Sequence, residues 1–151
     1  MSARFALVLA LAFAFALPRF AAAQRLPPAP RAAHVAIVRA PALELAHDGI
    51  AILRWTATNP GGLDTHLGVV HYGTDPAHLD RVAQSPIRLD RGHATTLFRV
   101  RVSGLRAGTT YFYSVTSTDS AGTAAGVHSA VDRFTMPGAG ERYSAARATR
   151  P

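Results

Sequence analysis

The segment Leu105-Arg106-Ala107-Gly108-Thr109-Thr110-Tyr111-Phe112-Tyr113-Ser114-Val115 constrains the fold of this chain more than any other stretch. A glycine-bearing loop runs straight into a period-2 alternation. Tyr111, Tyr113 and Val115 fall on one side, Phe112 and Ser114 on the other. That alternation is the pattern of a strand with one buried face. A tyrosine at the start of such a strand suits a tyrosine corner. Its ring buries apolar area while its hydroxyl returns to backbone just upstream, near Leu105 or Arg106.

Turn signals divide the rest of the chain into similar pieces. Asn59-Pro60-Gly61-Gly62, Gly73-Thr74-Asp75-Pro76, Ser103-Gly104 and the stretch from Asp119 to Gly126 separate apolar runs. The runs predict strands near Val35–Val38, extending towards Leu45, and over Ile50–Ala57, Leu67–Tyr72, Thr95–Val102, Thr110–Thr118 and Val127–Met136. A weaker one lies near Ile87–Leu89. Pro41 marks an edge strand or a break in the first run. Ala77–Ala83 forms a helical turn at most, and no segment reads as an amphipathic helix. Seven short, evenly spaced strands predict an all-β, two-sheet sandwich. Ala51, Leu53 and Trp55 face inward, as do Phe98, Val100 and Val102, and Trp55 anchors the core between the sheets.

The ends of the chain have different compositions. Residues 1–23 carry Arg4, an unbroken apolar run of 13 residues from Phe5 to Leu17, Pro18, and Ala21-Ala22-Ala23 before Gln24. That is the pattern of a secretory signal peptide, and the run is shorter than the roughly 20 residues a bilayer span needs. Arg19, close to the cut, departs from the pattern. Residues 24–33, with Pro27, Pro28 and Pro30, read as an extended linker. Residues 138–151 have no apolar period and read as a disordered basic tail. A secreted or periplasmic product, cleaved near Ala23, is the expectation.

The formal charge of +7 suggests nucleic-acid binding until its distribution is considered. Residues 34–137 hold nine arginines and eight acids, so most of the excess lies in the flanks. No nucleic-acid partner is expected, and no membrane-spanning segment. With no cysteine, thiol catalysis, zinc–thiolate sites and disulfides are excluded.

Trp55, Leu105 four residues before Thr109, and Tyr111-Phe112-Tyr113-Ser114-Val115 together resemble a fibronectin type III domain. In that family the matching strand typically follows Leu-x-Pro-Gly-Thr-x-Tyr; Ala107 stands here in place of the proline. The resemblance spans residues 34–137 and implies a seven-stranded, immunoglobulin-like sandwich. In it Trp55, Leu105, Tyr111, Tyr113 and Phe134 are structural. Arg54-Trp55-Thr56, Val69-Val70-His71-Tyr72-Gly73-Thr74 and Phe134-Thr135-Met136-Pro137 most resemble the sandwich that precedes the catalytic domain of purple acid phosphatases. The dimetal motifs of that catalytic domain, Gly-Asp-x-Gly, Gly-Asp-x-x-Tyr and Gly-Asn-His-[Asp/Glu], do not occur here. The resemblance therefore implies the accessory sandwich without the enzyme.

Catalytic signatures of other kinds are also missing. The seven histidines include no pair three or four residues apart and no His-Glu-x-x-His. There is no Gly-x-Ser-x-Gly elbow and no phosphate-cradling glycine loop. No catalytic residue, metal or cofactor is expected. Two faces are candidate binding surfaces. In the fibronectin arrangement Arg54 lies beside Arg99 and Arg101 on an outward sheet face, suited to an anionic glycan or protein. On the other sheet Val69, His71 and Phe112 point outward together and suggest docking or self-association. The function expected is an exported, non-catalytic interaction module; the alternative is an accessory subunit of a separate phosphoesterase.

Overall fold

The structure, a computed structural model, describes residues 35–59, 64–90, 92–119 and 127–145. The proposed leader, linker and last six residues lie outside them. Eight strands follow in order: β1 (Ile37–His47), β2 (Ile50–Thr58), β3 (Thr65–Gly73), β4 (Arg81–Arg88), β5 (Thr95–Ser103), β6 (Thr110–Asp119), β7 (Asp132–Thr135) and β8 (Arg142–Ser144). They form two four-stranded antiparallel sheets, ordered β5-β2-β1-β8 and β4-β3-β6-β7. The sheets pack face to face as an immunoglobulin-like sandwich.

Alternation decides what fills the space between them. Ala51, Leu53, Trp55 and Ala57 from β2 and Phe98, Val100 and Val102 from β5 are buried against Val70, Tyr72, Tyr111, Tyr113, Val115 and Phe134 of the other sheet. Trp55 stacks on Phe98 with ring centroids 5.3 Å apart and planes 14° apart. Gly68 of β3 gives both rings room. A Cβ at that position would lie 2.9 Å from Val100 Cγ2, 3.2 Å from Phe98 and 3.3 Å from Trp55. A second aromatic group joins Tyr72, Tyr111, Phe134 and Tyr113, with centroids 5.7–6.3 Å apart.

The loop that opens β6 is fastened at several points. The Arg106 N–H donates to the Tyr111 hydroxyl at 3.0 Å, the geometry of a tyrosine corner. Gly108, at φ 67°, turns the chain, and its N–H donates to the Met136 carbonyl. The Leu105 N–H donates to the Gly49 carbonyl in the β1–β2 turn. In that turn Asp48 and Gly49 both have positive φ, as a two-residue hairpin of type I′ requires.

The strand count is eight where the sequence pattern predicts seven, and several boundaries differ. β8 arises from the C-terminal stretch that carries no apolar period; its three residues pair with Leu45–His47 of β1. β1 is not broken at Pro41. The register shifts between Arg39 and Ala42 opposite β2, and this bulge absorbs the residue that cannot donate to the ladder. β4 covers Arg81–Arg88 rather than a short piece near Ile87, and Ala77–Ala83 holds no helix. Its inward positions, Ala83, Ser85 and Ile87, are mostly small, and Val82 faces out at 54% exposure, so the apolar alternation is faint. β7 begins only at Asp132. Before it, the Ser129 Oγ accepts the Val115 N–H in place of a backbone carbonyl, and the ladder is interrupted.

Tyr111→Phe removes the hydroxyl acceptor and leaves the Arg106 N–H unpaired, which should lower unfolding stability by about 1 kcal/mol. Gly68→Val drives methyl groups into Val100, Phe98 and Trp55 and should cost about 1–3 kcal/mol. Chemical denaturation of the two variants beside the parent measures both effects.

Candidate functional site

The outer face of the β5-β2-β1 sheet carries a concentration of arginine. Arg54 and Arg99 are direct cross-strand partners, and Ile52 opposes Arg101. Arg39 pairs with Thr56 on the same side of the sheet, bringing a fourth guanidinium to the face; the register shift at Pro41 hides its placement from sequence. Glu44, beyond the bulge in β1, reaches across β2 to Arg99. Arg99 Nε donates to Oε2 at 2.9 Å and Nη2 to Oε1 at 2.5 Å. Among the described residues, Arg39, Arg54 and Arg101 have no acidic partner. Like charges placed directly opposite on a sheet are destabilising, and the exposed Arg99–Glu44 pair offsets only part of that. Leu97, 51% exposed, adds an apolar flank. A recess of about 110 Å³ between Arg39, Ala42, Arg54 and Leu97 is too small for anything beyond a few waters.

The second sheet departs from the expected open patch. Val69, His71 and Phe112 do share its outward side, through the pairs Val69–Thr116, His71–Ser114 and Gly73–Phe112. Val69 is nevertheless only 7% exposed, and His71 and Phe112 are half-buried. The His71 ring lies 5.6 Å from that of His128. Partial burial, and then the neighbouring His128, hold the His71 pKa below its ordinary value. From Arg81 the chain runs alongside β3 as an edge strand, and just before it the His78 carbonyl stands where a Cβ of Gly73 would point.

A third cluster is structural. Asn59, 2% exposed, donates through Nδ2 to the Asp90 carbonyl at 2.6 Å and the His93 carbonyl at 2.8 Å, and its Oδ1 accepts from Thr96 Oγ1. Thr96 Oγ1 in turn accepts the Asp90 N–H. The Asp90 carboxylate binds His93 Nδ1 at 2.7 Å and accepts the Gly92 N–H, and these bonds hold its pKa below the usual carboxylate value. This network closes the loop between β4 and β5. In sequence Asn59 reads only as a turn residue, because its partners lie more than 30 residues away.

Among the described residues, no group of three or more His, Asp or Glu side chains is placed to hold a metal ion, and no helix is long and apolar enough to cross a membrane. Neither models of known protein families nor curated proteins match the chain.

Asn59→Ala removes one hydrogen bond each from the Asp90 and His93 carbonyls and from the Thr96 hydroxyl. The expected loss is about 1–3 kcal/mol, read by thermal or chemical unfolding.

Proposed function

We propose that this chain is an exported, non-catalytic interaction module of fibronectin type III-like character that binds an anionic partner, a glycan or a protein, through the outer face of the β5-β2-β1 sheet. The leader pattern supports export. The strand order and the Tyr111 corner are consistent with the family resemblance. The observation that carries the binding reading is the juxtaposition of Arg54 and Arg99, flanked by Arg39 and Arg101, with Glu44 as their one acidic partner among the described residues. A face that places like charges opposite one another loses stability unless something negative lies across it. Guanidinium forks donate bidentately to sulfate and carboxylate groups, and an extended polyanion spans several of them with no enclosed pocket. Such binding weakens as salt screens the charges.

A second reading, an accessory subunit of a separate phosphoesterase, draws on a different surface. An apolar groove of about 480 Å³ runs between residues 36–41 and 127–132, with Val127 and Val131 61% and 49% exposed. Burying that edge against a catalytic partner would suit it, and a phosphoesterase co-purifying with the chain would favour this reading over the first.

Elution from a sulfated-polysaccharide column tests the arginine face. Arg54→Ala with Arg101→Ala should elute at distinctly lower salt than the parent. Glu44→Gln, which releases Arg99, should elute later. Coincident elution of the double variant and the parent overturns the assignment.

A further inference from the structure

At the end of the sandwich where β3 leads to β4 and β5 leads to β6 lies a polar cleft of about 430 Å³. It is lined by Thr74, Asp80, Arg81, Gly104, Arg106 and Thr109, with Tyr111 also in its wall. Its volume is in the range of small-molecule sites. One buried aromatic pair holds the Arg81 guanidinium and the Arg106 backbone. The Arg81 guanidinium carbon stands 4.7 Å over the Tyr72 ring centroid, a cation–π contact that restrains the long side chain. Tyr72 meets Tyr111 edge-on at 6.3 Å, and the Tyr111 hydroxyl holds the Arg106 backbone. Gly104, at φ 72°, borders the Arg81 guanidinium; a Cβ there would lie 3.6 Å from Nη2. Neither Arg81 nor Arg106 has an ion-pair partner among the described residues.

We infer that this cleft binds a small hydroxylated carboxylate, of which a uronic acid unit is the type. Two arginines lining one cavity, the guanidinium of one held over an aromatic ring, suit a carboxylate bound by paired N–H donors. Asp80 opposes a bare anion in the same cavity but accepts hydrogen bonds from ring hydroxyls, and the hydroxyls of Thr74 and Thr109 add donors and acceptors. The combination favours a ligand that carries both a charge and several hydroxyls. None of these residues belongs to the arginine face, so the site stands or falls independently of the function proposed above.

The test is titration of the ¹⁵N-labelled full chain with D-glucuronate at constant ionic strength, following the amide resonances of Gly104, Arg106 and Thr109. Saturable shifts at these positions are expected, with D-glucose and inorganic phosphate each at least about tenfold weaker. Arg106→Ala and Arg81→Gln should each weaken glucuronate binding about tenfold. Arg106 is exposed and its side chain lies outside the core, so Arg106→Ala keeps the test decisive if Arg81→Gln loses its fold. Absence of saturable shifts overturns the proposal. So does unaltered affinity in Arg106→Ala, or phosphate binding as tightly as glucuronate, which would mark a simple anion site.

Discussion

The hydrogen bond from the Arg106 N–H to the Tyr111 hydroxyl is the constraint around which one end of this sandwich is organised. Tyr111 opens β6 with its ring in the core, and only the hydroxyl can reconcile that burial with the polar loop outside. Once the bond is made, Gly108 is directed against the start of the C-terminal segment and Leu105 against the β1–β2 turn. Three segments that are distant in sequence meet at this one loop. The Tyr72–Tyr111 contact extends this order to the neighbouring strand β3 and, through the ring beneath Arg81, to the surface.

Trp55 governs the centre of the sandwich in a similar way, though sterically. Its ring and that of Phe98 occupy space that any side chain at position 68 would need. The large indole and the missing Cβ are two halves of one packing solution, drawn from opposite sheets. Interiors are packed densely enough that neither half works alone. Its indole N–H has no hydrogen-bond partner among the described residues, so the apolar area that the ring buries has to outweigh the desolvation of that group.

The electrostatics run against the logic of the core. Inside, the polar network around Asn59 is extensively hydrogen-bonded; outside, Arg54 and Arg99 are set opposite each other at a cost in stability. Local choices that work against the fold concentrate where a surface meets a partner. The charge of the whole chain says little about this, because the flanks dominate it. What matters is the register of β1, β2 and β5, which brings four cations and one carboxylate to a single face.

The class of fold, the inward residues of β2, β5 and β6, and the role of Tyr111 are all legible in the order of residues. These follow from period-2 alternation and from local turn chemistry, which depend on near neighbours along the chain. The order of residues is much less informative where a strand lacks an apolar face of its own. β4 turns small side chains inward, β8 is three residues laid against an edge, and β1 passes Pro41 through a bulge; each exists because a neighbouring strand offers unpaired backbone groups. The candidate sites divide in the same way. Arg54, Arg99 and Arg101 could be assigned to an outward face from alternation alone. Three-dimensional packing is what gives Arg99 to Glu44, brings Arg39 to the face, nearly covers Val69, and sets Arg81 and Arg106 around one cleft. Those outcomes depend on cross-strand register and on loops meeting in space, and contacts between residues tens of positions apart leave no periodic trace in the sequence.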